Sequence, residues 1–583
     1  VISGGTLKYT GAATRTDRLF TLGDSGATID ASGTGALVFS NTGALDFSGT
    51  AGRVLTLTGT NTDDNTMTPV LANNAGVSSF TKAGAGKWVM KGANTYTGFT
   101  TISGGSLNVG DGTDALASLG TNAVSMVAGG SLNFAHNADV TVANAISGLG
   151  QLNKLGGNTL TLTGVSSYSG VTDTGSAGGG VVYSNDTAPS TSGFTGSGAV
   201  TIQPATTSFG ALVTANYSFA NTISGLTLGK AGNLTDVTLD SVVNIAGPIT
   251  VYAPQITVNQ ALSSSGAGLT LNGQATLNGG SISMAGAQTF NGAVTLGANT
   301  TLTSTGAGHI TFGSTLNGGK TLAIDTAGAT TFNGQVGNTS ALTSLTTDAA
   351  GTVAINGGSV TTSGAQSFGE LVNLGAATTL TATGVTFEAA VSGTSLNVVG
   401  TTAINGGSVT TTGTQSYGGT VTLGADTTLS ATGVTLGAAV SGNHSLDVAG
   451  TTTINGGSVN TGSHAQHYAG TVSLGAATTL TASGVTFDAA VSGTSLAVNG
   501  TTTINGGSVT TTGAQSYSGA VTLGADTTLA STSVVAANAG ITLSSTLDSA
   551  DSTTPRALIL NSVGATTLGG AVGGIYPLSS LTT

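Results

Sequence analysis

Few residues in this chain could act on a substrate, and those that could are scattered. Gly23-Asp24-Ser25-Gly26 has the form of a serine-protease nucleophile loop. In proteases with that loop, the imidazole base and its orienting carboxylate precede the serine. The first histidine here, His136, follows it, so the tetrapeptide reads as a glycine-flanked turn. His464 and His467 are the only clustered histidines. Three residues apart on a strand, they face opposite sides. Sister repeats carry Gly, Thr or Ser at the aligned places, and no Cys or sequence-near acid completes a zinc set.

Two acid pairs recur 100 residues apart, Glu388 with Asp488 and Asp426 with Asp526. Calcium needs oxygens within about 2.6 Å of the ion. If about 25 residues make a coil, and coils stack at about 4.8 Å, each pair is split by roughly 19 Å. These acids therefore read as sparse solubilising charge that opposes lateral clumping. Asp63-Asp64, in the turn-like phrase NTDDNT, is the only adjacent acid pair, too little for the paired carboxylates of a sugar-cleaving enzyme. Threonine runs at 410–412, 451–453 and 501–503 would form hydroxyl ladders on a solvent face, as strand formers do. Flat ladders of that kind also serve ice-binding solenoids. No catalytic, cofactor-binding or metal site is expected, and no cofactor.

The elements that would carry these groups are strands. The chain has 583 residues, 95 of them Gly, with 6% charged residues, 4% aromatics and no Cys. Without Cys there is no disulfide framework, and the chain suits export through an oxidising periplasm. Its net charge of −12 disfavours nucleic acid and anionic membrane surfaces. No apolar run reaches the roughly 18–20 residues of a spanning helix, so membrane insertion by this segment is not expected. Val1 has no leader before it and Thr583 falls inside a repeat; both ends are expected to be cuts through something longer.

Ile-Asn-Gly-Gly-Ser-Val begins at Ile355, Ile404, Ile454 and Ile504, and a cousin begins at Leu277. Each copy is followed by Gln-x-aromatic: Gln288/Phe290, Gln366/Phe368, Gln415/Tyr417, Gln466/Tyr468 and Gln515/Tyr517. Residues 385–400 (VTFEAAVSGTSLNVVG) return at 485–500, and residues 321–347 return at 557–583. Apolar residues alternate with Thr over short runs such as Leu160/Leu162 and Val421/Leu423, the period of a half-buried strand. Asn-Gly and Gly-Gly supply the turns. A unit of about 50 residues with so few large side chains must stack on its neighbours to bury a core. Two coils to a unit would give about 23 coils and a rod of about 110 Å. Tandem immunoglobulin-like sandwiches lack the dense Gly and repeated half-units, and a membrane barrel would show aromatic girdles.

Residues 80–110 (FTKAGAGKWVMKGANTYTGFTTISGGSLNVG) resemble the autotransporter-associated β-strand repeat of type V secretion passengers. Lys82, Gly84, Gly86, Trp88, Gly92, Ala93, Asn94, Thr95, Tyr96, Gly98, Gly105 and Leu107 fill its pattern. Residues 152–173 repeat it with Lys154, Leu160, Leu162, Tyr168 and Gly170 but no Trp. From about Leu226 the text resembles filamentous-haemagglutinin-like exoproteins in composition. The resemblance implies an all-β, right-handed parallel β-helix, exported and displayed or released as an adhesin or matrix component.

Three regions are expected: 1–190 with the passenger-type repeats, a transitional 191–268 marked by Pro204, Pro248 and Pro254 after Pro189, and 269–583 with the ~50-residue repeats. The expected role is a structural, adhesive stalk of an extracellular surface protein, in attachment, biofilm or a surface layer. A self-assembling filament is the second reading, and a carbohydrate-active β-helix enzyme the weakest. Expected partners are host, cell-surface or matrix components, polysaccharide among them, and further copies of the chain.

Overall fold

Alternation decides the local structure. In Ala27–Ala31, Leu226–Leu228 and Gln515–Tyr517 every second side chain is buried and its neighbour is not. That pattern requires an extended strand with one face on a core. The computed structural model describes residues 1–176 and 178–583. They form two compact units, Val1–Gly292 and Ala293–Thr583, each a parallel β-solenoid in accord with the fold class expected. Among the described residues there is no α-helix, only a 3₁₀ turn at Ala536–Asn538. No helix among the described residues is long and apolar enough to cross a membrane.

In the first unit two faces are separate sheets, of eight strands from Thr6–Tyr9 to Ser166–Tyr168 and of ten from Thr14–Thr16 to Ser218–Phe219. Coil length is uneven there. Thr6 pairs with Thr28, Ala27 with Leu55, Phe80 with Thr100 and Thr100 with Val124, so successive coils take up unequal lengths of chain.

Apart from its last coils, where Gln515 pairs with Ile541 and Thr527 with Leu558, the second unit is tighter. Leu396 stacks under Gln415, Gln415 under Val434, Val434 under Thr452 and Thr452 under Val472. Each step is close to the 19 positions that separate Asp426 from Ser445, its partner one coil on. Three strands make a coil: Leu396–Val398, Thr401–Ile404 and Ser408–Thr411 precede Thr414–Tyr417, which returns above the first. The register corrects the expectation of about 25 residues a coil and two coils a repeat. Strands here are mostly of three or four residues, and the corners are short because the Asn-Gly-Gly turn is compact. Its second glycine, Gly407 or Gly507, sits at φ +73° or +72°, a region costly for residues with a Cβ.

The repeat counts strands, not coils. Fifty residues carry eight strand segments: Thr401–Ile404, Ser408–Thr411, Thr414–Tyr417, Val421–Leu423, both arms of Thr427–Leu436, Val440–Gly442 and the first arm of Leu446–Ile454. Eight strands at three per coil advance two and two-thirds coils, so each copy of the motif lands on the next face. Ile404 stacks on Phe387, Ile454 on Leu436 and Ile504 on Phe487, in three different files. The file of Ile504 descends through Phe487, Tyr468, Val448, Leu429, Val409, Val391 and Val372 to the strand of Ile355, eight coils below. The motif thus winds around the core with three-fold screw symmetry. The Gln-x-aromatic strands lie under Val-Thr-Phe, Val-Thr-Leu or Ile-Thr-Leu strands. Ring stacks result, Phe368 on Phe387 at 5.8 Å and Tyr468 on Phe487 at 5.7 Å, worth roughly 0.5–1.5 kcal/mol each beyond burial.

Candidate functional site

The passenger-type repeat is built for coil closure. Lys82 lies wholly inside, where its Nζ donates to the carbonyls of Ala83, Gly84 and Gly104 at 2.8, 2.9 and 2.9 Å. Burial pushes this ammonium down to about 8. Gly105 has φ +66°, and a Cβ there would come within 2.5 Å of the Gly84 carbonyl oxygen and closer still to that of Gly86, which accounts for glycine beside that Nζ. Trp88 Nε1 donates to Thr58 O at 2.9 Å. Asn94 accepts from Leu71 N at 2.8 Å and donates to Gly92 O and Ser118 O at 2.9 and 2.7 Å, so one amide ties three coils. Tyr96 and Thr100 hydroxyls meet at 2.7 Å, as do Tyr168 and Thr172 in the second copy. Lys154 is likewise buried and donates to Gly156 O at 2.6 Å.

The Gln-x-aromatic signature does comparable work in the second unit with a neutral group. Gln415 Nε2 donates to Val409 O, on the strand before it, and to Ser430 O, on the strand stacked over that one, at 2.8 and 3.0 Å, while Tyr417 OH donates to Gln415 Oε1 at 3.0 Å. Gln366, Gln466 and Gln515 make the same carbonyl bonds.

The acids read from sequence as sparse surface charge have partners one coil away. Glu388 and Asp488 accept from Asn405 and Asn505, the Asn of the turn above, at 3.0 and 2.7 Å. Asp426 and Asp526 accept from the backbone N–H of Ser445 and Ala557, both at 2.8 Å. The Ser445 N–H holds the Asp426 carboxyl below its usual range. Glu388 and Asp488 follow Phe387 and Phe487, which lie in different files.

His464 and His467 are not joined as a pair. His467 lies between two acids from neighbouring coils, Asp447 and Asp488, at 2.7 Å on either ring nitrogen. His464 instead stacks on His444 at 6.0 Å, and His444 Nδ1 is 3.7 Å from Asp426. Sequence reading missed this cluster because Asp447 and Asp488 stand 20 and 21 positions from His467, one coil away rather than one strand. Among the described residues no group of three or more His, Cys, Asp or Glu is arranged to hold a metal.

The remaining groups also go to structure. Asp24 pairs with the buried Arg53 at 3.1 Å, and Ser25 is exposed beside Ser3. His136 is buried, its Nε2 2.8 Å from Ala117 O, and lines a cavity of about 210 Å³. Asp64 pairs with Lys87 at 2.5 Å, and Asp63 accepts from Asn61 at 3.3 Å. In the threonine runs Thr411, Thr452 and Thr502, the middle residues, point inward, so no flat ladder continues through them. Sequence reading also missed Glu370, buried where sister repeats hold Gly419, Gly470 and Gly519. Burial pushes its carboxyl up to about 7.

Residues 80–109 and 152–173 match the family model of the Passenger-associated-transport-repeat. Over 91 residues the chain is 48% identical to the Adhesin BmaC autotransporter of Brucella suis biovar 1 (strain 1330). That stretch is 15% of this chain and 3% of that protein, so the chain matches a small part of its relative's length. No solved structure matches the chain. The chain therefore carries the transport repeat of autotransporter passengers on a parallel β-solenoid, is similar over 91 residues to an autotransporter adhesin, and has its place outside the cell, at the bacterial surface.

Proposed function

We propose that this chain is a stretch of adhesive stalk that works mechanically, without catalysis, to hold a binding surface away from the cell. The observation that carries this reading is where the polar side chains go. Lys82, Asn94, Gln415, Asp426 and Asp488 each bond across to a neighbouring coil. Such bonds fasten a solenoid without disulfide or metal. The likeness to a protein named as an adhesin supplies the purpose.

The screw arrangement adds to the mechanical case. Over residues 355–503 each face of the second unit meets the same eight strand types in turn, so no face there is systematically longer than the others. A column assembled that way has no built-in direction of bending.

The test is electron microscopy of the purified chain beside a variant lacking residues 355–503, eight coils by register. The stalk reading expects particles of one length, shortened by about 38 Å in the variant. A spread of lengths that grows with protein concentration would contradict it and make end-to-end assembly the function.

A further inference from the structure

We infer that His467 is an acid-locked staple: its doubly protonated ring ties three successive coils of the second unit, and loss of that proton as pH rises loosens them. Asp447, His467 and Thr486 stand in one register file, and Asp488 closes the strand end of the third coil. His467 Nδ1 lies 2.7 Å from Asp447 Oδ1, and Nε2 lies 2.7 Å from Asp488 Oδ2. A carboxylate only accepts, so both ring nitrogens must carry hydrogen, the state of an imidazolium. In the neutral ring one nitrogen would present a lone pair to a carboxylate, and that bond would be lost.

The surroundings offer no replacement cation. No Lys or Arg occurs between Lys320 and Arg556. The residues stacked below Asp447 and above His467 are Thr428 and Thr486. Asp488 is also held by Asn505, which is neutral. The other titratable groups nearby are Asp426, His444 and His464 along the corner, with His444 3.7 Å from Asp426. Deprotonation of His467 therefore leaves two carboxylates facing an uncharged ring.

The repeats supply an independent observation. Where His467 stands, the sister copies hold Ser367, Ser416 and Ser516. Where Asp447 stands, they hold Asn397 and Ala497. Both departures fall on one pair of neighbouring coils, where each provides the other's partner. The hydrogen bonds to Asp488 and then Asp447 outweigh desolvation and raise the His467 imidazole above its ordinary range. A group raised on folding contributes stability fully present below its unfolded pKa and lost as pH rises through the folded one. The window here opens at about pH 6.5 and extends upward.

The inference does not depend on the adhesive reading. Its test uses the full chain, His467→Ser and Asp447→Asn, both changes to residues the sister repeats already accommodate in the same fold. The histidine NMR signals are followed against pH, and amide exchange is read over residues 446–488 on either side of pH 7. In the wild type, His467 should titrate above free histidine. Exchange, corrected for its intrinsic rate, should quicken about tenfold for each unit of that elevation. In Asp447→Asn the His467 midpoint should fall, and in His467→Ser the pH dependence over residues 446–488 should drop to the part that Glu370 gives the whole unit. A His467 midpoint at or below about 6.5, or an unchanged pH dependence in His467→Ser, would overturn the inference.

Discussion

The two units solve one problem with different chemistry. Nine of the eleven Lys and Arg residues lie in Val1–Gly292, among coils of unequal length. Uneven coils leave backbone carbonyls turned inward at corners where no strand pairs them, and buried carbonyls require donors. Lys82, Lys154 and Arg53 supply those donors as buried cations. Between residues 352 and 528 the second unit has coils of nearly constant length and recurring corners, whereas in its last coils Gln515 pairs with Ile541 and Thr527 with Leu558. In the regular stretch a neutral glutamine closes one corner in each repeat, and charge in this unit, Glu370 and Asp548 apart, is kept for the surface. Regularity thus replaces charge: where geometry recurs, an uncharged amide suffices and the desolvation cost of a buried ion is avoided.

The contrast is sharpest at the fasteners. Lys82→Met should give the largest loss, because three carbonyls lose their donor at once; about 3 kcal/mol is expected, read as a lower urea midpoint for the first unit with the second unchanged. Gln415→Leu removes neutral bonds to two carbonyls and the acceptor of Tyr417, so about 2 kcal/mol is expected, confined to the second unit. Equal losses from the two variants would break the comparison.

Glu370 is the exception in the regular unit and should behave accordingly. Its folded pKa is raised to about 7 by burial, against about 4.3 in an unfolded chain. Between those values the folded state holds a proton that the unfolded state has released, so stability falls as pH rises through the interval. Glu370→Gln should flatten that slope and add about 2 kcal/mol at pH 8, measured as urea midpoints across pH 4 to 8. A slope unchanged by the substitution would show that the carboxyl is not buried as described.

Much of the fold is legible in the sequence because strand and turn are local. Alternation in Val521–Leu523 and the Asn-Gly-Gly at 505–507 each need only a few neighbouring residues. Coil length is not local. The pattern repeats every eight strands, and nothing within it says that three close a coil, so the local text invites a division of each repeat into two coils. The cross-coil partners fail to show for the same reason. Asp447 and Asp488 are distant from His467 in the chain, and only the register makes them neighbours. Acids that look like scattered solubilising charge are fasteners once the coil is known.

The screw arrangement of the second unit is the central claim, and one distance tests it. The chain has no Cys, so Thr352→Cys and Thr503→Cys can carry a single pair of spin labels. Thr352 precedes Val353 and Thr503 precedes Ile504, two members of one file eight coils apart. Electron–electron resonance should give a narrow distribution centred near about 38 Å, eight strand spacings. A distance near about 29 Å, the six coils that a looser two-coil repeat would place between them, would contradict the account.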